Sequence, residues 1–529
     1  MNNDTYYLRA NVQTDPLVNQ WYAWPHLISP ATAAMTIANG HVKIMKSFVS
    51  APEIHIAAVK NPAMRGGPFM DQPVTAVREV KALLEKTLGE QANMIELANG
   101  IKKLNELLAN EAKGASMEPL YEKVPDVLKG YVELVYDLNR NPSIRYLEGV
   151  LYESKYYDPA LQSIALSLID RDDRPFVFST PRLGDGGNLQ INIPFTDQGI
   201  DELFKMRSTP QRFEHIREVL KIDAEYDQQL LSLLTREQPR KPDNYSGDSV
   251  RLRYFGHACV LMETKEVSIL TDPVISYEFG SEVYRYTFTD LPETIDYVLI
   301  THAHQDHVLF ETLLQLRHKI KTVIVPRCGG GMLEDPSLKL VLNKIGFKNV
   351  VEIDELESIP IEGGSLTGIP FLGEHGDLNI RSKIGYLIHL KGYKIMCAAD
   401  SRNIEFKLYQ HVHDIIGDVD VLFIGMECDG APVSWIYGSL MTTPYDRKTD
   451  HSRRLSGSDS ERAIDIVRRL NCQQVYVYAM GQEPWLGYIT SIKYTEQSRP
   501  IVESNKLLEL CASQGIPAER LYGSKEIFL

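Results

Sequence analysis

The chain has 529 residues, 43% hydrophobic and 24% charged, the composition of a globular protein too long for a single core, so two domains are expected. A formal net charge of −14 excludes a whole-surface attraction to nucleic acid or to anionic membrane. No apolar run approaches membrane-spanning length, and the N-terminal residues lack the basic-then-apolar pattern of a secretory signal.

In chain order, residues 1 to about 240 read mainly as helix. The segments 73–89, 92–112 and 213–236 each place apolar residues at i, i+3, i+4 and i+7. A hairpin is predicted at 176–195, turning at Gly184–Gly187. Residues 236–249, "REQPRKPDNYSGDS", are polar and proline-bearing and read as a linker. The division expected is 1–245 for a helical N-terminal domain and 246–529 for a second domain. After the linker the pattern changes to short β-rich runs: "VRLRYF" (250–255), "CVLMET" (259–264), "VSILTD" (267–272), then "DYVLIT", "TVIVP", "GYLIHL", "YKIMCAA", "DVLFIGM" and "QVYVYAM". Helices such as 458–470 separate some of them, so a layered α/β domain is expected. The six cysteines all lie at or beyond Cys259 and form no C-x-x-C pair, the usage of reduced thiols in a cytoplasmic protein.

The chemistry concentrates in "DYVLITHAHQDHVLF" (296–310). A buried strand ends at Thr301, and three histidines and an aspartate follow in the loop after it. His302 and His304, two apart, can converge on one metal ion, and Asp306 and His307 can serve a second beside it. Three histidines clustered by accident after an apolar strand would be a rare coincidence.

"YFGHACVLMETKEVSILTDP" (254–273) followed by H-x-H-x-D-H resembles the opening of the metallo-β-lactamase fold. The resemblance covers about 250–529 and implies an αββα sandwich with a dinuclear metal site at one edge. Most such proteins are hydrolases completed by further histidines, and the sequence departs from them twice. In "FLGEHGDLNI" (371–380) either Glu374 or His375 could be the next ligand. Treated as neighbours on an extended chain, only one of them can face the metal. At the C-terminal end, the strand at 474–482 finishes in Met480, Gly481 and Gln482 without a histidine, which leaves Glu427, or else His451, as the last ligand. Asp400, at the end of "YKIMCAADS", stands where the fold places its bridging carboxylate.

A ligand set of His302, His304, Asp306, His307, Glu374, Asp400 and Glu427 is harder and more anionic than a histidine-rich zinc centre. Its four carboxylates and an oxo bridge would balance two ferric ions. In this the chain is similar to the di-iron β-hydroxylases of nonribosomal peptide assembly lines, in length and in its large N-terminal domain as well. The resemblance implies a non-haem di-iron monooxygenase with two iron ions, oxo- or hydroxo-bridged. His302, His304 and Glu374 would bind one iron, and Asp306, His307 and Glu427 the other. Asp400 would bridge, and Glu374 and Asp400 would be catalytic. The substrates implied are O2, electrons from an external donor protein, and an amino acid held as a thioester on a carrier (thiolation) domain of a nonribosomal peptide synthetase, hydroxylated at its β-carbon. The N-terminal domain would dimerise and dock; nucleic acid and membrane are not expected partners. The alternative is a dinuclear zinc hydrolase of lactones, thioesters or phosphodiesters using His375 and either His451 or another terminal ligand. His257 is expected to be structural, His411 and His413 to be surface residues of a helix, and Arg447, Lys448, Arg453 and Arg454 to form a solvated basic loop or, less simply, a docking patch.

Overall fold

A computed structural model describes residues 4–184 and 187–529. In the N-terminal half, three helices follow the apolar periodicity closely: Val42–Ser50, Val77–Glu90 and Ala92–Glu111, the last burying Met94, Leu97, Ile101, Leu104 and Leu108 on one stripe. The first is continuous with Pro30–Thr36 through one π turn at Ile37–His41.

Strands occupy more of this half than one hairpin. Val12–Val18 pairs antiparallel with Gln162–Leu168, whose other edge takes Leu189–Asn192. The alternating run at 189–195 thus pairs backward to 162–168 rather than to 176–181, which is irregular and donates Val177 N–H to Tyr488 O. Part of the predicted turn, residues 185–186, lies outside the described residues. The long helix expected at 213–236 is broken in two, Phe213–Val219 and Asp227–Ser232. Lys221 turns to φ +55°, and Ile222 N–H closes back on Arg217 O. The buried Leu220, Leu230 and Leu233 preserve an apolar face that periodicity cannot distinguish from one long helix.

Beyond the linker, two seven-stranded sheets face each other. The first runs in the order Val350–Ile353, Ile320–Pro326, Ile295–Leu299, Ser268–Thr271, Cys259–Glu263, Arg251–Gly256, Lys525–Phe528. The second runs Ser358–Ile361, Gly364–Ile369, Gly385–Leu390, Tyr393–Cys397, Val421–Gly425, Gln474–Tyr478, Ala518–Arg520. Leu252, Tyr254, Val260, Ile269 and Ile324 of the first meet Leu366, Tyr386, Ile388, Ile395 and Phe423 of the second in one buried layer. Helices Lys407–Ile416, Ser460–Arg469 and Arg499–Ser513 cover the outer face of the second sheet. This is the expected αββα sandwich.

The outer face of the first sheet is covered by Phe310–Leu316 and Leu338–Lys344 and also by N-terminal residues, among them Leu8, Val12, Ile164 and Phe204, in one continuous core. A buried polar cluster joins the halves directly behind the histidine loop. Glu311 accepts from Tyr22, Tyr277, Tyr488 and Arg174, and Arg174 also binds Asp15. The linker carries no helix or strand, but Asp243 is tied to Arg251 and Arg253. No helix among the described residues is long and apolar enough to cross a membrane.

Candidate metal centre

The centre forms where both sheets end. Ile295–Leu299 runs parallel to both neighbours, and the chain leaving it is fastened to the second sheet by Ile384 N–H donating to Thr301 O at 2.8 Å. His302, His304 and His307 all follow that anchor and all are buried.

Asp272 sets the orientation of this loop. Its fully buried carboxylate accepts Thr301 N–H at 2.8 Å, Thr301 Oγ1–H at 2.6 Å and His307 Nδ1–H at 2.8 Å. With Nδ1 donating to Asp272, His307 turns Nε2 toward Asp400 Oδ2 at 3.1 Å, where Asp400, Asp272 and Asp306 raise the imidazole well above its ordinary value and Nε2–H donates to Asp400 until a cation takes the place of its proton. Thr301 Oγ1, its proton committed to Asp272, accepts from His302 Nδ1 at 3.0 Å, which leaves His302 Nε2 bare, 3.7 Å from Asp400 Oδ2 and 3.8 Å from Glu374 Oε2. His304 is held from the opposite side: Nε2 is 3.0 Å from Tyr437 Oη, and Nδ1 is 2.8 Å from Glu374 Oε1.

Glu374 does not lie on an extended segment. Residues 371–380 contain no strand, and Glu374 adopts φ +68° between Gly373 and Gly376, both also at positive φ. The turn aims the Glu374 carboxylate between His302 and His304. His375 stays inside as well, its ring 4.4 Å from that of His304 and its Nδ1 3.1 Å from Glu374 Oε2. The opposite-sides argument therefore fails in its premise: a left-handed residue lets both neighbours turn inward, the carboxylate toward the two histidines and the imidazole against one of them.

Asp400 follows the strand Tyr393–Cys397. A side chain on Gly425, at the end of the adjacent strand, would collide with Asp400 Oδ1 at 2.6 Å, so only glycine leaves the carboxylate its place. Asp306 lies 3.2 Å from His257 Nε2, and His257 itself sits at φ +51° in the Gly-His turn, its ring 4.9 Å from that of His307. Glu427 follows the strand Val421–Gly425. It stands outside the tightest groupings, but close enough for Asp306, Asp400 and Glu374 to act on its charge. Three overlapping triads bring their donor atoms within 4.8 Å of one another: His302, His304 and Glu374; His302, His307 and Asp400; His257, Asp306 and His307.

The electrostatics fit a cation-binding centre. Burial, reinforced by Asp306, Asp400 and Glu374, pushes Glu427 well above the usual carboxylate range. Burial likewise raises Glu374 to about 7, against the pull of His304 and with Asp400 and Asp306 adding to the push. Burial and the neighbouring imidazoles hold His302 well below its ordinary value, keeping Nε2 unprotonated. Among the described residues, His302 Nε2, Glu374 Oε2 and Asp400 Oδ1 are buried without a hydrogen-bond partner. Unpaired donors of this kind are costly in a protein interior, and multivalent cations between them satisfy the donors and offset the crowded carboxylates.

The remaining histidines separate clearly. His451 is exposed and belongs to none of the triads, and His411 is exposed on the helix Lys407–Ile416. Arg453 is spent locally, donating to Gly376 O at 2.6 Å, and Arg454 pairs with Asp429. Sequence reasoning gave no role to Asp272 or Tyr437. Asp272 stood in view inside the Asp-Pro of 272–273, whereas Tyr437, 133 residues from His304, left no local signal.

Residues 7–239 match the family model described as "Diiron non-heme beta-hydroxylase N-terminal domain", and residues 251–442 match "Beta-lactamase superfamily domain". A Streptomyces venezuelae enzyme, 4-amino-L-phenylalanyl-[CmlP-peptidyl-carrier-protein] 3-hydroxylase, is 38% identical over 525 residues, 98% of each chain. The chain belongs to the di-iron β-hydroxylases. The crystal structure of CmlA, a diiron β-hydroxylase from Streptomyces venezuelae, superposes on this hydroxylase with a TM-score of 0.93 at 37% identity, covering 99% of each chain. A mutant structure of CmlA gives 0.91 at the same identity, covering 99% of this chain and 100% of that one. The fold is thus a family N-terminal domain followed by a metallo-β-lactamase domain, the activity is that of a non-haem di-iron hydroxylase, and the zinc-hydrolase alternative is set aside.

Proposed function

We propose that this hydroxylase acts on the β-carbon of an amino acid tethered as a thioester to the carrier domain of a nonribosomal peptide synthetase. The printed substrate of its 38%-identical relative, an aminoacyl group on a peptidyl-carrier protein, supports that reading. In the proposed ligand set, His302, His304 and Glu374 would hold one iron, Asp306, His307 and Glu427 would hold the other, and Asp400 would serve both. The observation that carries it is Glu374, whose carboxylate reaches both His302 and His304 while one of its oxygens has no hydrogen-bond partner.

An iron pair bound there supplies the redox chemistry that reduces O2 and delivers one of its oxygen atoms to a C–H bond. The other oxygen leaves as water, so each turnover takes two electrons from an external donor protein and two protons. The protein's part is positional. Asp272 fixes the His307 tautomer, Tyr437 fixes the ring of His304, and Thr301 fixes that of His302. Phe371 lies edge-on to His302 at 5.9 Å, and Trp24 and His26 pack beside Tyr437, so aromatic rings back the histidines of the centre. Residues 1–245 serve as the docking and dimerisation module of a cytoplasmic homodimer, and 246–529 carry the catalytic centre.

The test is hydroxylation of a carrier-bound amino acid by iron-loaded enzyme, reductant and isotopically labelled O2, followed by mass spectrometry of the thioester. One labelled oxygen per turnover on the carrier-bound residue is expected. Equal O2 consumption with free amino acid would overturn the carrier requirement, and thioester cleavage without oxygen incorporation would overturn the reading altogether.

A further inference from the structure

Two cavities adjoin the metal centre without being lined by its proposed ligands. One, of about 370 Å³, is walled by Trp24, Phe178 and Trp435 together with Asn39, Gly40 and His41. The other, of about 900 Å³, opens between Lys60, Arg65 and Phe69 on one side and Gln482, Lys493 and Tyr494 on the other. Both are of ligand-binding size. Gly66, Gly67 and Phe176 line both, so the two cavities abut at these residues. At that junction Gly66 takes φ +80°, and a side chain on it would meet Ser491 at 3.3 Å and the Trp435 ring at 3.8 Å.

Both inner walls reach the centre. Trp24 packs on His26 at 4.2 Å, His26 lies 5.7 Å from Tyr437, and Tyr437 touches His304. Tyr437 also shares the short helix Val433–Tyr437 with Ser434, Trp435 and Ile436, which line the smaller cavity. On the other wall, Tyr494 Oη is buried with no hydrogen-bond partner, on the side of Glu427 and Asp400. The π turn Ile37–His41 forms part of the aromatic cavity, and π turns recur where helices are adapted to function.

The larger cavity carries three uncommitted cations in an acidic protein. Lys60 and Lys493 are exposed, Arg65 is half-buried, and none of the three makes an ion pair or side-chain hydrogen bond among the described residues. The acids on this wall are Asp71, Asp172, Asp173 and Glu483; Asp172 is bound to Arg285 and Glu483 to Tyr254, while Asp71 and Asp173 make no ion pair among the described residues and leave the three cations in excess by one. Uncommitted cations beside one cavity and aromatic rings around the next, one side chain from Tyr437, match a ligand that is anionic at one end and apolar at the other.

We infer that the two cavities form one passage that takes the acyl-phosphopantetheine arm of the carrier protein, with Lys60, Arg65 and Lys493 holding its phosphate and the aromatic cavity holding its amino-acid side chain. The inference rests on the carrier-bound substrate reading and adds the residues that receive it. It moves the docking point away from the basic loop at 447–454.

The experiment is calorimetric titration of the iron-loaded enzyme with the L-phenylalanyl thioester of phosphopantetheine and, separately, of dephosphorylated pantetheine. The triple variant Lys60→Glu, Arg65→Glu, Lys493→Glu should weaken the phosphorylated thioester about tenfold or more and leave the dephosphorylated one unchanged. Ile44→Trp, which fills the aromatic cavity from a half-buried position, should weaken both thioesters and leave unacylated phosphopantetheine unaffected. Equal effects of the charge reversal on both thioesters, or none on either, would overturn the phosphate assignment. An Ile44→Trp enzyme that binds both thioesters normally would overturn the side-chain assignment. If the wild-type enzyme hydroxylates a carrier-bound amino acid yet binds neither thioester, the passage is wrong and the function stands. If it hydroxylates no carrier-bound amino acid, the function reading falls and this inference with it.

Discussion

Replacing Asp272 by asparagine changes one atom and removes the acceptor on which the metal-binding loop is hung. In the wild type, Oδ2 accepts both Thr301 Oγ1–H and His307 Nδ1–H, while Oδ1 accepts Thr301 N–H. An amide offers one acceptor oxygen and places an N–H2 where two donors already point. At least one buried donor is stranded, costing about 1–3 kcal/mol, and the surviving bonds lose the charge that strengthened them. Together these destabilise the metal-free protein by about 2–5 kcal/mol. His307 also loses the anchor at Nδ1 that turns Nε2 toward Asp400, and loss of such a support costs about 10–100-fold in metal affinity. Urea midpoints in excess chelator measure the first effect, and competition for iron against a chromophoric chelator measures the second. An Asp272→Asn protein that is less stable without metal yet binds iron within twofold of wild type would refute the argument, because Asp272 would then be holding the fold and not the ligand.

Tyr437→Phe should lower iron affinity by up to about tenfold and metal-free stability by about 1 kcal/mol, since only one hydrogen bond to His304 is lost; the same two assays check it. Glu374→Gln should reduce hydroxylation about a hundredfold or more and lower the iron bound per chain, read by product mass spectrometry and metal analysis. His451→Ala should leave both quantities unchanged, because that ring is exposed and outside the triads. Glu148 yields a pH signature. It is buried against Ser29 and Ser337, and burial raises its carboxyl to about 7 from an ordinary 4.5. The folded state therefore keeps a proton that the unfolded state has released. Stability is full below pH 4.5, falls as pH rises toward 7, and levels off above it, by about 3 kcal/mol in all. Glu148→Gln should remove this loss, stabilising the protein at pH 8 and not at pH 4, as read from urea midpoints.

The strands of the sandwich were legible because they are short, apolar and separated by turn residues, and the histidine loop because four donor residues fall within one stretch after a strand. Pairing was not legible. The run at 189–195 has the alternation of a strand, but nothing local tells it to choose 162–168 over 176–181. The break at Lys221 was hidden because the apolar spacing survives it. At the centre, Glu374 and His375 could be named as a pair, but the geometry between them depends on a left-handed backbone angle flanked by Gly373 and Gly376, which an extended-chain argument misses. Tyr437 and Asp272 act through contacts made only after folding, across 133 and 35 residues respectively.

The most direct test of the central claim is anomalous diffraction at the iron edge from crystals of the protein purified in air. Two iron peaks are expected, one bonded to a Glu374 oxygen together with His302 Nε2 and His304 Nδ1. A zinc signal there, or a metal bonded to the ring of His375 with the Glu374 carboxylate turned away, would contradict the account.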